Sequence, residues 1–241
     1  MSHTVMERAN RELDAYRHSE SLPSTGTYRK NLQDGRWHPV LVVVEGNHDV
    51  AFLSNLSAIL NKQDEQTPNL ANWEAVGKIL FFPTGGGGSG DIAAWGERLA
   101  RLGQPRFHLH DKECGAEALN RLTVVARIDQ HPNCTARITS RRSLENYLHP
   151  KAIQRAGGPK LVMKPETNVA VTLAKARLAE SAPQLAWRSL SQRSQKRLIE
   201  SAKRWLNSEA VSQMTPKLLA RSDPEHELIG WLQEIRQLVD S

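Results

Sequence analysis

Cysteine is scarce: the 241 residues hold two, Cys114 and Cys134. Their spacing fits neither a disulfide framework nor a structural zinc site, and free thiols are expected. Long apolar runs are missing too, since none approaches the roughly 18 residues of a membrane-spanning helix. The N-terminal stretch, with Glu7, Arg8, Arg11, Glu12 and Asp14, lacks the apolar core of a signal peptide, so a cytoplasmic protein is expected. No nucleotide P-loop is present, because the glycine run over 85–90 is not followed by Gly-Lys-Ser/Thr. That run opens a helix, with Asp91 as the expected N-cap, and reads either as a flexible turn or as a place where backbone N–H groups hold an anion. No internal repeat is found.

What is present starts with charge. The chain carries 32 Lys+Arg against 26 Asp+Glu. The whole excess lies in residues 151–241, with 15 basic against 9 acidic side chains, and it is densest from Arg188 to Arg204. A polyanion such as nucleic acid suits this stretch, although a solvated basic helix face would read the same way.

The organising stretch is Leu41-Val42-Val43-Val44-Glu45-Gly46-Asn47-His48-Asp49. A β-branched run of this kind predicts a strand buried on both faces, within Val40–Val44. Val50, Phe52, Leu53, Leu56, Ile59 and Leu60 then recur at helical spacing. Three further strands are predicted over Lys78–Phe82, Arg106–His110 and Cys134–Thr139, with helices after the glycine run and over Ala116–Ile128. Beyond Pro150 strand signals stop. Helices are predicted over Ala170–Glu180, Leu185–Leu206 and from Pro224, the last with Asp223 as cap, Pro224 at its first position and a stripe of Leu228, Trp231, Leu232, Ile235, Leu238 and Val239. The first 37 residues predict one short helix over Val5–Tyr16 and a loop. The architecture expected is α/β, a mostly parallel four-stranded Rossmann-like sheet flanked by helices (38–150), followed by a basic helical C-terminal lobe (151–241) and preceded by an extension (1–37).

Acidic residues follow three of the predicted strands: Glu45 with Asp49, Asp111 with Glu113, and Glu145. Parallel strands bring such ends to one edge, where five carboxylates would repel one another unless a cation sat among them. Oxygen-only ligands favour Mg²⁺ or Mn²⁺. His48, His108 and His110 flank these acids and are expected to be structural or solvated. The Gly-Asn-His-Asp of residues 46–49 is also a box of metallophosphoesterases, but their upstream Asp-x-His and later Gly-His-x-His are absent.

A strand ending in Glu45-Gly46-Asn47-His48-Asp49, a later strand ending in Asp111-Lys112-Glu113, and the box Arg141-Arg142-Ser143-Leu144-Glu145-Asn146-Tyr147-Leu148 together resemble the Toprim domain. The form they are most similar to is that of OLD-family endonucleases and related bacterial defence proteins. The resemblance spans roughly residues 38–150, with Glu113 where the family usually has Asp. It implies a Toprim-like fold and a Mg²⁺- or Mn²⁺-dependent nuclease in which Glu45, Asp49, Asp111, Glu113 and Glu145 hold the metal. Glu45 and Asp111 would act in catalysis, with Lys217 contacting the scissile phosphate. Arg141, Arg142, Arg193, Lys196, Arg197 and Arg204 would bind the nucleic-acid backbone. DNA is the favoured substrate, in a defence or mobile-element setting, and RNA stays open. So does a catalytically silent module that binds nucleic acid or a partner ATPase. No ATPase domain accompanies these motifs, so an ATPase partner would be a separate chain; self-association is left open.

Overall fold

Four short strands, each of five residues, carry the middle of the structure: β1 (Val40–Val44), β2 (Ile79–Pro83), β3 (Arg106–His110) and β4 (Cys134–Ile138). A computed structural model of the chain describes residues 38–241, and the helix expected over Val5–Tyr16 lies outside the described residues. All four strands are parallel and lie in the order β2-β1-β3-β4. Val42 pairs with Phe81 on one side and Phe107 on the other, and His108 pairs with Ala136. Between them run α1 (Asn47–Asn61), α2 (Leu70–Ala75), α3 (Ser89–Ala100) and α4 (Ala116–Ile128). After β4 come a 3₁₀ turn (Leu144–Tyr147), α5 (Pro150–Arg155), α6 (Val169–Ser181), a second short 3₁₀ turn (Trp187–Ser189), α7 (Gln192–Trp205), one turn of π-helix (Leu206–Ala210), α8 (Pro216–Ser222) and α9 (Glu227–Asp240). The α/β class and the parallel four-stranded sheet agree with the expectation.

The two faces of the sheet are covered differently. Side chains alternate along a strand, so Val40, Val42, Val44, Phe107 and Leu109 point to one layer. There they join Phe52, Leu53 and Leu56 of α1 and Leu228, Trp231, Leu232 and Ile235 of α9 in one continuous apolar cluster. Leu41 and Val43 face the other layer and meet Leu99 of α3, beside the edge-to-face pair Phe82–Trp95. Ile92, Val125, Ile128 and Ala136 form a separate patch in that layer. Between the two patches β3 sends Arg106, His108 and His110, all fully buried.

The C-terminal helices are therefore part of the sheet's own packing. α9 lies against β1 and β3, and its predicted stripe is the face that covers them. Residues 38–241 form one unit, and the change at residue 150 is one of charge and strand content within a shared core. Two predicted caps are corrected. Asp91 sits in the first turn of α3 and accepts a bond from the Gly88 N–H at 3.2 Å, so Gly88 is the cap residue. Asp223 does cap α9, but across a turn. Its carboxylate accepts from the N–H groups of Glu227 and Leu228 at 3.1 and 3.0 Å, and Pro224 lies in that turn, outside the helix.

Candidate functional site

In a parallel sheet, the crevice forms where successive connections leave in opposite directions along the strand order. Here the chain goes from β1 out to β2 and returns to β3 on the other side, so the carboxyl ends of β1 and β3 flank that crevice. The residues following those ends are Glu45 and Asp111. The Asp111 N–H donates to Glu45 Oε1 at 3.0 Å, which ties the two strand ends directly. Asp49, in the first turn of α1, accepts from the Gly46 N–H at 2.8 Å and so faces back to the same edge. Glu145 arrives from the 3₁₀ turn after β4. It is nearly fully buried and held by Ser143 Oγ at 2.7 Å and Asn207 Nδ2 at 3.1 Å. The Leu144 N–H donates to Asp111 Oδ1 at 3.2 Å, which locks this turn onto β3.

Burial and neighbouring charge raise three of these acids. Burial raises the Asp49 carboxyl to about 7, with Glu145 and Glu45 adding to the rise. Asp111 is pushed well above the usual carboxylate range by burial first, then by Asp49, Glu45 and Glu145. Glu45 is also raised by burial, although Arg121 opposes the rise. The Lys203 ammonium is near enough to feel this cluster, without an ion pair to it among the described residues. Burial works against the charge on Lys203, yet Glu145, Asp111 and Asp49 outweigh it and raise its pKa. Like charges crowded against so little positive charge are what a hard divalent cation relieves, and the donors are all oxygens. The chemistry of the donor set fits Mg²⁺ or Mn²⁺. As the side chains stand, no group of three or more His, Cys, Asp or Glu among the described residues is arranged to hold a metal ion.

The other residues named from the sequence fall in several places. Glu113 has a left-handed backbone (φ 57°), and its carboxylate pairs with Arg142 at 3.3 Å, which engages both side chains with each other. Arg141 donates to the Asn146 carbonyl at 3.0 Å and lies over the Tyr147 ring. Arg193, Lys196, Arg197 and Arg204 are exposed on α7, and their side chains have no hydrogen bond or ion pair among the described residues. Lys217 is exposed at the start of α8 and bonds to none of the acids. Cys114 and Cys134 are free thiols, as expected. His48 pairs with Glu200 at 3.3 Å, joining α1 to α7. His108 and His110 are buried and held neutral, with burial lowering both to about 3, and their ring nitrogens have no hydrogen-bond partner among the described residues. They are structural, not solvated.

Two N–H groups at the start of α3 are taken up within the structure. Glu117 of α4 accepts from the Ser89 N–H at 2.6 Å, and Asp91 from that of Gly88. Gly85, Gly86 and Gly87 have φ values of 89°, 78° and 132°, which only glycine adopts without strain. The loop they make folds back over β1, where the Gly86 N–H meets the Glu45 carbonyl at 2.6 Å.

Sequence reasoning missed Lys203, Asn207 and Arg121. Lys203 stands in a run of similar cations, Lys196, Arg197 and Arg204, and periodicity alone does not single it out. Asn207 reaches Glu145 because the chain makes a π turn at Leu206–Ala210, a feature often found at functional sites.

No protein-family model, no curated protein and no solved structure matches the chain.

A pH dependence follows from the acids. The folded-state pKa of Asp49, about 7, lies above the unfolded value near 4. Ionising this group therefore costs stability, a cost that begins above pH 4 and is complete above pH 7. Metal-free protein is expected to lose on the order of 2 kcal/mol between those limits, a figure reduced from the full linkage value because Asp49 is partly exposed. Urea midpoints at pH 4.5 and pH 8 measure this. Asp49→Asn should flatten the slope, and an unchanged slope would remove Asp49 as its source.

Proposed function

We propose that the protein is a Toprim-like, divalent-metal-dependent nuclease acting on a nucleic-acid backbone, with DNA as the favoured polymer. The observation that carries this reading is the meeting of Glu45, Asp49, Asp111 and Glu145 at the switch point of a parallel sheet, with Lys203 brought to them by the basic helix α7. The motif resemblance suggests the reaction class, and the acid cluster supports it.

The bound cation would activate water and stabilise the leaving oxygen in phosphodiester cleavage. Asp49, Asp111, Glu145 and Glu45 would hold it. Glu113 is paired with Arg142, and its charge adds to the rise at Glu45. Lys203, whose charge the acids favour, would neutralise charge building on the phosphate, a role the sequence resemblance gives to Lys217. Arg193, Lys196 and Arg197 lie on the helix that carries Lys203. At 1.5 Å rise per residue this ridge runs about 15 Å towards the acids, long enough to follow about four nucleotides of one strand. Phosphate contacts of this kind position a polymer without reading its sequence.

Lys203→Gln is expected to lower cleavage by about 100-fold, whereas Lys217→Gln leaves it within about twofold. Single-turnover rates on a nicked-plasmid assay decide the matter, and the reverse ranking would return the role to Lys217. A second reading, a catalytically silent module that binds nucleic acid or a partner ATPase, is favoured by one observation: the carboxylates do not yet converge on a metal position among the described residues. Under it, the protein binds nucleic acid equally well with and without Mg²⁺ and cuts neither DNA nor RNA. A defence or mobile-element role belongs to the proposal through the resemblance alone.

A further inference from the structure

We infer that Arg121 is a positioning residue that holds Glu45 by one oxygen and leaves its other oxygen open to the acid cluster. Arg121 belongs to α4, in a sequence (Ala116–Ile128) that reads as an ordinary amphipathic helix. Yet it is 4% exposed, so it cannot reach a polymer outside. Its guanidinium meets four groups from four segments. One terminal nitrogen bonds to Glu45 Oε1 and to the Asp111 carbonyl, the latter at 2.8 Å. The other terminal nitrogen bonds to the Gly87 carbonyl at 2.8 Å, and Nε to Glu117 Oε1 at 3.2 Å. The ends of β1 and β3, the glycine loop and α4 are thus fastened at one planar fork, which lysine cannot reproduce.

The pattern on Glu45 is one-sided. Oε1 receives both the Asp111 N–H and Arg121, and His110 Nδ1 stands 4.0 Å from it. Oε2 has no hydrogen-bond partner among the described residues. An outer group that pins one oxygen of a carboxylate fixes the direction of the other, as outer partners do for metal-ligating side chains. Glu117 extends the device, since the oxygen that receives Arg121 Nε also accepts from the Ser89 N–H of the glycine loop. The three consecutive positive-φ glycines then have a structural purpose, because they bring the Gly87 carbonyl to the fork. At Gly87 a Cβ would lie 2.4 Å from Asp91 Oδ2.

This inference rests on the nuclease reading for its consequence, not for its geometry, and its test separates the two. Mn²⁺ binding is followed by the electron paramagnetic resonance of the free ion for wild type, Arg121→Gln, Glu45→Gln and the double variant. Arg121→Gln is expected to weaken Mn²⁺ binding about 10–100-fold. The double variant should bind no more weakly than the worse single, because both changes remove one device. On DNA, kcat should fall with KM nearly constant, since Arg121 is buried away from any polymer. Wild-type affinity in Arg121→Gln, or losses that multiply in the double variant, overturns the inference. If Arg121→Gln is too unstable to purify, Arg121→Lys takes its place, with a loss expected between wild type and Glu45→Gln. If wild type binds no Mn²⁺, the nuclease reading falls, and urea unfolding of the same four proteins decides. Non-additive midpoint shifts support Arg121 as the holder of Glu45, and additive shifts overturn it.

Discussion

Glu45→Gln and Asp111→Asn are each expected to reduce Mg²⁺-dependent nicking of supercoiled DNA by at least about 1000-fold, with the fold retained. The loss corresponds to about 4 kcal/mol of transition-state stabilisation, within the range a metal-assisted site supplies. Both substitutions keep shape and hydrogen bonding. In Glu45→Gln the amide oxygen still accepts from the Asp111 N–H and from Arg121. In Asp111→Asn an oxygen still accepts from the Leu144 N–H. What each change removes is a negative charge at the crevice between β1 and β3. Stability should hold or rise in metal-free protein, because both carboxyls are raised by burial and by their neighbours. Nicking with Mg²⁺ and Mn²⁺, circular dichroism of each variant and a structured RNA run alongside complete the measurement. Variants that cut like wild type would remove the acid cluster from the chemistry. Cleavage of RNA alone would change the substrate and leave the site in place.

A fragment ending at residue 150 is expected not to fold, although it contains all four strands. Parallel sheets are stable only when both faces are covered. In this chain one face of β1 and β3 is covered by α9, through Leu228, Trp231, Leu232 and Ile235, within a cluster that includes Leu173, Leu206 and Val211. Each large apolar side chain is worth about 1.5–3 kcal/mol when buried, and a domain's net stability is only about 5–15 kcal/mol. Removing α9 alone therefore takes away as much as the fold has in hand. Residues 38–241 should unfold in one cooperative urea transition, with Trp231→Ala shifting it by about 3–5 kcal/mol. A fragment over 38–150 that unfolds cooperatively would show that the sheet stands without the C-terminal helices.

The catalytic proposal and the folding prediction share a cause. The helices that finish the core also bring polar groups towards the acids at the sheet edge, since α7 carries Lys203 and the π turn after it carries Asn207. Under the proposal, residues 151–241 are both packing and site, and the basic excess located there would lie on the route of a polymer to the acids.

Much of this was legible in the residues themselves. Val40–Val44 reads as a buried parallel strand, Arg106–His110 and Ala116–Ile128 fall where their patterns place them, and the α9 stripe names its own buried face. These are local properties: side-chain period and β-branching act over a few neighbours, and the chain obeys them wherever it sits. Four acids at one edge were legible too, because parallel strands send their ends the same way. Tertiary structure alone decided the rest. Glu113 stands next to Asp111 but one, yet a left-handed residue turns it to Arg142. Pro224 looks like a helix start, yet Asp223 reaches across a turn to cap α9. Lys203 was hidden among similar cations, and Arg121 inside an ordinary amphipathic pattern. Which cation meets which carboxylate depends on how α4 and α7 are rotated against the sheet. That rotation is set by contacts between residues 76 and more positions apart, such as Arg121 with Glu45 and Glu200 with His48, and no local pattern encodes it.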